Sequence, residues 1–276
     1  MSTITRFGLL ICCLVGPLAH ADERHPAFES KFAVSLGGLS ANRNFKASAE
    51  GSVMIVQPTP LVDFASDLKV DDSPELFVIE MQWQFSEKWN LGLQHFNATR
   101  SGSNTLGKTI EWADVIYEVG AEVNAVNGID MTRIVFTRKL WQNKVHDFRV
   151  SVGLHRLEVV ARISGEATLG DGSTFFTRSR ASASVPIPNV GGVYRYSPSD
   201  KWLFGARADW FSASVGNYSG GIWNAATTVN YRVADHIGIG LGYQFFQIDG
   251  ALTEERWSGD LKIRFNGPIL QIAGFW

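Results

Sequence analysis

Apolar and polar residues alternate with a period of two along much of the chain. From Phe77 to Phe85 every second residue is apolar, and the residues between them include Glu80, Gln82 and Gln84. A short polar stretch follows at 86–88, after which the alternation resumes. This pattern is typical of two antiparallel strands that present one apolar face and are joined by a tight turn.

The same pattern recurs three more times, around polar turns near residues 144, 199 and 235. With a first strand near Phe32–Leu39 and a last strand near Gly267–Trp276, the sequence predicts ten strands. Eight strands is the alternative, if the first or the third hairpin is not a pair of strands. Longer polar links separate the hairpins, at about 42–74, 101–126, 162–184, 213–221 and 250–260.

The alternation of short turns and long links predicts the fold class. Bacterial outer-membrane barrels have short periplasmic turns and longer extracellular loops. We therefore predict an all-β protein, a transmembrane antiparallel up-and-down β-barrel with both termini in the periplasm. A soluble lipocalin-like barrel is the alternative, because its strands also alternate with a period of two. The membrane barrel is favoured by aromatic residues near the turns, which form belts at membrane surfaces: Trp89, Trp141, Tyr194, Tyr196, Trp202 and Tyr231.

Residues 1–21 have the organisation of a secretory signal peptide. Arg6 is followed by an apolar stretch from Phe7 to Leu18 and by the small-x-small sequence Ala19-His20-Ala21. An N-terminal transmembrane anchor is the alternative, but it needs about 20 apolar residues. This stretch is shorter, so we expect cleavage, which leaves one barrel domain at 22–276.

The mature chain offers no basis for disulfides or for nucleic-acid binding. Cys12 and Cys13 are the only cysteines, and both lie in the signal segment. Removal of Arg6, the one charged residue of that segment, changes the formal net charge from −2 to −3. Such a near-neutral balance argues against a nucleic-acid partner. No later apolar stretch is long enough to cross a bilayer as a helix, so only closed β-structure could span it.

The C-terminal segment resembles the assembly signal of outer-membrane barrels. Leu270, Ile272 and Trp276 lie at even-numbered positions of the last strand, and the final residue is aromatic. We expect these three residues to form that signal.

From about residue 28 onward the chain resembles the small outer-membrane β-barrel proteins of Gram-negative bacteria, in particular a largely uncharacterised OmpA-like porin-type group. The segments that carry the resemblance are Gly153-Leu154-His155, 235–243 and Asn266-Gly267-Pro268. The resemblance implies an outer-membrane location. Its implied partners are outer-membrane lipid and lipopolysaccharide, the barrel assembly machinery and periplasmic chaperones. The group brings no agreed activity.

If the apolar face meets lipid, the polar face of the strands lines a lumen. A barrel of about ten strands has a narrow lumen, and an unpaired buried charge there costs several kcal/mol. We therefore predict a salt-bridged plug and a structural or surface-interaction role. The alternative is a low-conductance pore for small solutes that favours anions, because basic residues outnumber acidic ones. The predicted lumen network comprises Glu80, Arg133, Arg149, Arg207, Asp209 and Arg232.

The sequence shows no catalytic or metal-binding constellation. No mature histidine is followed at the second position by serine, the spacing that a strand-borne nucleophile and base would need. His155 and Asp209 could both face inward, but nothing in the sequence brings them together. An acidic cluster at 67–75 lacks the spacing of a calcium site. We expect no enzyme and no cofactor. An outer-membrane enzyme acting on lipid A or peptides is the remote alternative.

Overall fold

A computed structural model describes residues 25–49, 60–71, 75–113, 115–168, 173–215, 218–253 and 258–276. The predicted signal peptide lies outside the described residues. A single-turn 3-10 helix at Pro26–Phe28 precedes the strands. No helix in the described residues is long and apolar enough to cross a membrane. The described strands are β1 (Phe32–Ser40), β2 (Asn42–Ala47), β3 (Val62–Asp63), β4 (Glu75–Gln84), β5 (Trp89–Thr105), β6 (Ile110–Trp112), β7 (Val115–Tyr117), β8 (Glu122–Gln142), β9 (His146–Thr168), β10 (Thr174–Tyr196), β11 (Trp202–Val215), β12 (Tyr218–Ala234), β13 (Ile237–Thr253) and β14 (Ser258–Phe275).

Ten of these strands form a closed antiparallel ring. Their order is β1-β4-β5-β8-β9-β10-β11-β12-β13-β14, and β14 pairs back onto β1. Phe32 and Trp276 exchange backbone hydrogen bonds of 2.8 Å at the seam. The prediction of a ten-stranded antiparallel barrel is confirmed. β2 continues β1 along β14 in the same register beyond Ala41 and pairs with the short β3, whereas β6 pairs with β7 in a separate hairpin.

The tight turns lie where the sequence predicted them, but most of the long polar links are strand. β9 and β10 each run for 23 residues, so the segment 162–184 is mainly a hairpin arm and was wrongly predicted as a loop. The links at 213–221 and 250–260 likewise consist mainly of the ends of paired strands. We call the end with the tight turns periplasmic and the other end extracellular.

The reason for this error is a change in the phase of the alternation. In β9 the even-numbered residues from Phe148 to Leu154 point outward and are between 37% and 55% exposed. Beyond His155 all apolar residues of β9 except Val160 are odd-numbered, and Leu157, Val159 and Ile163 point inward and are buried. No bulge interrupts the pairing of β9 at this level. The strand therefore continues unbroken, but its apolar residues face outward up to Leu154 and mostly inward beyond His155.

The exchange divides the barrel into two zones. On the periplasmic side the outward face is apolar and the lumen is polar, as lipid requires. On the extracellular side the outward face of β9 is mostly polar, from Arg156 to Glu166, and the interior is apolar. With a rise of about 3.3 Å per residue and a tilt of about 40°, β9 extends about 35 Å beyond Leu154. The lower part is therefore the predicted membrane barrel, and in the upper part the same strands enclose an apolar core.

Aromatic residues mark both borders of the lipid-facing zone, called here the lipid band. Near the periplasmic turns Trp202 lies 4.8 Å from Tyr231, and Trp141 stacks on His146, measured between ring centroids. At the opposite border the outward-facing Trp210 and Trp223 lie 6.2 Å apart. These two rows are the belts expected where strands enter and leave a bilayer.

An added arginine inside the lipid band should impair assembly. Val152→Arg places a charge on the outward face of β9, and such a residue costs up to about 2–4 kcal/mol, the value at the bilayer midplane. We expect this variant to lose heat-modifiable gel migration after refolding into vesicles. Val160→Arg, on the same face of the same strand but above the band, is the control and should fold normally. Equal loss in both variants would contradict the position of the band.

Candidate functional site

The polar lumen of the membrane zone is the candidate site. Its central network joins three strands through Asp209, whose side chain is completely buried. Arg133 Nη2 lies 2.9 Å from Asp209 Oδ1 and 2.8 Å from Oδ2. Arg207 Nη1 lies 3.7 Å from Asp209 Oδ2, and Arg207 Nη2 donates to Glu80 at 3.2 Å. Gly191 makes room for the carboxylate, because a Cβ there would lie 2.4 Å from Asp209 Oδ1.

A second network lies nearer the periplasmic turns. Asp147 accepts two hydrogen bonds of 3.0 Å from Arg149 Nε and one of 2.8 Å from Arg149 Nη2. It also accepts from Arg195, whose Nη1 donates at 2.9 Å to the carbonyl oxygen of Ala27. Arg232 lies apart from both networks and pairs with Asp200 at a turn.

The segment before β1 closes the periplasmic end of the lumen. His25 and Phe28 are both buried, each about 1% exposed. The guanidinium of Arg195 lies 5.0 Å from the ring centroid of Phe28, and His25 packs 5.3 Å from Phe275. These contacts seat the 3-10 turn inside the barrel mouth as a plug.

A third polar layer lies at the upper border of the membrane zone. The amide nitrogen of Asn224 lies 3.2 Å from His155 Nε2, and Gln244 donates to Asn224 Oδ1 at 3.4 Å. Asn224 is also the register partner of Asp209, so this layer adjoins the central network. Both side-chain amide atoms of Asn189 are buried without a hydrogen-bond partner among the described residues. This layer is polar, tightly enclosed and out of reach of solvent.

Directly above this layer the lumen is filled by phenylalanine. Phe96, Phe246 and Phe265 form one cluster with ring centroids 4.6 to 6.1 Å apart. His155 packs 6.5 Å below Phe246. All three rings are at most 1% exposed and belong to the apolar core that fills the interior above the polar lumen.

The extracellular end of the lumen is closed by Phe45, Phe64, Trp112 and Tyr117, called here the extracellular cap. Phe64 contacts Phe45 and Trp112 at ring-centroid distances of 5.0 and 5.6 Å. The hydroxyl of Tyr117 donates at 3.1 Å to the carbonyl oxygen of Ile163, and burial raises the pKa of this tyrosine. At the outer surface Lys46 lies 2.9 Å from Asp63. Burial alone would raise the pKa of Asp63, but hydrogen bonds from Lys46 and the backbone of Ser66 and Ala65 outweigh it and lower the pKa.

A cavity of about 160 Å³ remains between the plug and the central network. Its walls carry both basic and amide groups, and a smaller cavity of about 70 Å³ adjoins Arg133 and Gln94. Such polar cavities hold ordered water that satisfies buried groups. Within the described residues no group of histidine, cysteine, aspartate and glutamate side chains could hold a metal ion. The larger cavity is lined in part by His25, Glu80, Arg195, Arg207, Asn230 and Gln271.

The structure distributes the predicted network over three places. Glu80, Arg133, Arg207 and Asp209 come together, whereas Arg149 joins Asp147 and Arg232 joins Asp200. Asp147 was missed because the turn near residue 144 was predicted to extend from Asn143 to Asp147, although Asp147 has the same parity as Arg149. Asn189, Asn224 and Gln244 were missed as site residues because uncharged amides give no distinctive signal in a polar face.

Comparison with known proteins agrees with the fold class. No family model and no curated protein matches the chain. Among solved structures, the outer membrane protease OmpT from Escherichia coli matches with a TM-score of 0.58 at 7% identity, covering 89% of this chain and 96% of that chain. The transport unit of the autotransporter AIDA-I from Escherichia coli covers 90% of both chains at 9% identity, with a TM-score of 0.37. Ail, the attachment invasion locus protein of Yersinia pestis, covers 87% of this chain and 99% of its own at 9% identity, with a TM-score of 0.26.

The fold and the lipid band together define an outer-membrane β-barrel. The two matches with TM-scores of 0.37 and 0.26 carry no argument. The similarity to OmpT concerns the fold alone, because 7% identity transfers no active site. The narrower OmpA-like assignment, the assembly signal at Leu270, Ile272 and Trp276, and the cleavage of the signal peptide stay predictions.

Breaking the central network should destabilise the barrel strongly. Asp209→Leu leaves Arg133 and Arg207 without their buried carboxylate, and removal of one partner of a buried pair costs about 3–5 kcal/mol. We expect a lower urea midpoint for unfolding in vesicles. The double variant Arg133→Met/Asp209→Leu should recover part of the loss.

Asp200→Leu is the control for this experiment. It breaks the partly exposed pair with Arg232, and pairs near the surface contribute about 0–1 kcal/mol. Equal destabilisation by Asp209→Leu and Asp200→Leu would show that the buried network does not hold the barrel together.

Proposed function

We propose that this protein is a closed outer-membrane barrel with a structural or surface-interaction role. The observation that carries the proposal is the obstruction of the lumen at successive levels. The plug at 25–28 fills the periplasmic mouth, the Asp209 network crosses the centre, and the phenylalanine cluster lies above. Solutes would have to displace all three.

A low-conductance channel is the alternative function. Its support is the excess of arginine in the lumen and the cavity near Arg207. An ion path would require both the ion pairs and the buried phenylalanine rings to move. Packed apolar interiors have few voids and resist such movement, so the closed barrel is favoured.

Catalysis finds no support in the lumen residues that the structure describes. His155 is completely buried beneath the phenylalanine cluster, and Asp209 is engaged by Arg133. A base and an acid that no substrate can reach do not form an active site. We therefore propose a non-enzymatic role.

The extracellular zone is the part of the molecule available to partners. It extends well above the lipid band, and every second residue of β9 there points outward and is mostly polar. We propose that lipid and lipopolysaccharide surround the lipid band and its upper border. The barrel assembly machinery and periplasmic chaperones would act on the chain before insertion.

Planar-bilayer recording tests the closed lumen. We expect refolded protein to show no reproducible current across a range of voltages, and Arg207→Ala to behave in the same way. A porin refolded by the same procedure serves as the positive control. Reproducible current in the native protein that changes on Arg207→Ala would contradict the proposal and favour the channel.

A further inference from the structure

The barrel wall is not continuous above the lipid band. β10 pairs with β11 only from Val190 to Tyr196, opposite Phe204 to Trp210. Above that level, among the residues that the structure describes, β10 pairs only with β9, up to Thr174, and β11 ends at Val215. The residues of β10 from 174 to 189 therefore form a strand with one neighbour, and we call its other side the free edge.

The orientation of the backbone amides along this edge follows from one hydrogen bond. Ser197 N donates at 2.7 Å to Val145 O, and these residues continue the β9–β10 register in which Tyr196 opposes His146. Directly opposed antiparallel residues alternate between hydrogen-bonded and non-bonded pairs. Odd-numbered residues of β10 thus bond to β9, and even-numbered residues direct their N–H and C=O groups toward the free edge.

Two prolines explain where the pairing stops. Pro186 and Pro188 are even-numbered, so their missing N–H groups face the free edge and not β9. They would oppose Ser214 and Ser212 if the β10–β11 register continued. Proline cannot donate to a sheet and is confined to edges. Beyond them, the even-numbered residues from Thr174 to Ser184 offer their amides to an incoming strand.

The free edge is basic. Arg178 and Arg180 point outward on it, and Arg162 of β9 lies directly opposite Arg180. None of these three forms an ion pair within the described part of the chain, and Arg162 Nε is buried without a hydrogen-bond partner there. Arg156 differs, since it is paired with Glu158. Like charges directly opposed on a sheet repel one another, so an acidic partner would relieve this cluster.

The position of Arg162, Arg178 and Arg180 argues against two other binding partners, lipid A and a second copy of this strand. Pro188 opposes Leu154 at the top of the lipid band, and Arg180 lies eight residues above it. That separation corresponds to about 20 Å above the band, too high for the phosphates of lipid A. A second copy of this strand would set arginine near arginine, which disfavours self-pairing. Phe176, 67% exposed beside Arg178, adds an apolar contact for a peptide.

We propose that the free edge of β10, residues 174–184, binds an extended acidic polypeptide segment by strand addition. Main-chain hydrogen bonds to the even-numbered residues would supply the pairing, and acidic side chains of the partner would reach Arg162, Arg178 and Arg180. This inference rests on the proposed surface-interaction role and names the class of partner.

The test measures binding of a synthetic peptide that alternates glutamate and valine to the refolded protein in phosphatidylcholine vesicles. Ser182→Pro removes one edge N–H and should weaken binding about tenfold. Ser182→Ala removes only the hydroxyl and should bind normally. Ser184→Pro provides a second edge variant in case Ser182→Pro does not fold, which heat-modifiable migration would reveal.

Charge variants test whether acidic side chains of the partner bind the arginines. Arg178→Gln/Arg180→Gln should weaken binding about tenfold and reduce its salt dependence. Arg156→Gln, whose arginine is already paired, should change it little. A peptide that alternates lysine and valine should not bind.

Two outcomes would overturn the proposal. Binding that survives both proline variants but not the arginine variants would identify a simple anion site. Displacement of the peptide by lipopolysaccharide vesicles but not by phosphatidylcholine vesicles would identify a sugar-phosphate site. The bilayer recording is independent: a current with intact peptide binding would refute the closed lumen alone, and a silent barrel without peptide binding would refute the edge alone.

Discussion

The pairing of every backbone amide within the membrane is the constraint on which the rest of the structure depends. A bilayer core offers no water to an unpaired N–H or C=O, so a β-structure can cross it only as a closed ring. The ring closes where β14 meets β1, through the reciprocal bonds of Phe32 and Trp276. Above the band water is available and the constraint ends. There the wall opens between β10 and β11, next to Pro186 and Pro188.

The same strands pass through two solvents, and this explains the distribution of apolar side chains. In the band, lipid covers the outside and the polar groups gather in the lumen. In water the hydrophobic effect reverses the preference, and the apolar face turns inward. His155 marks the exchange on β9, because it lies between the lipid-facing Leu154 and the buried Leu157 two residues further along the inner face. The molecule therefore has a polar core below and an apolar core above.

A polar core inside a membrane protein is stable only when its charges are paired. Arg133, Arg207 and Glu80 are arranged around Asp209. Asp147 forms ion pairs with both Arg149 and Arg195. Asp209 and Asp147 each bind two guanidinium groups, and Glu80 binds Arg207 as well, so most of the buried positive charge is compensated. With the phenylalanine cluster above and the plug below, these networks fill the lumen instead of lining a path. The surface available for function is consequently the extracellular zone.

The sequence by itself predicted ten strands, with eight as the alternative, and it determined the tight turns and the composition of the two faces within the lipid band. Those features follow from local alternation and turn chemistry, which are properties of neighbouring residues. The tertiary structure decided which of the long polar segments are strands, because a polar outward face is read as a loop unless its inward partners are seen. It also decided the pairing of Arg133 with Asp209, 76 positions apart, and the seating of the plug against Arg195. Such contacts depend on ring closure and shear, which no local pattern encodes.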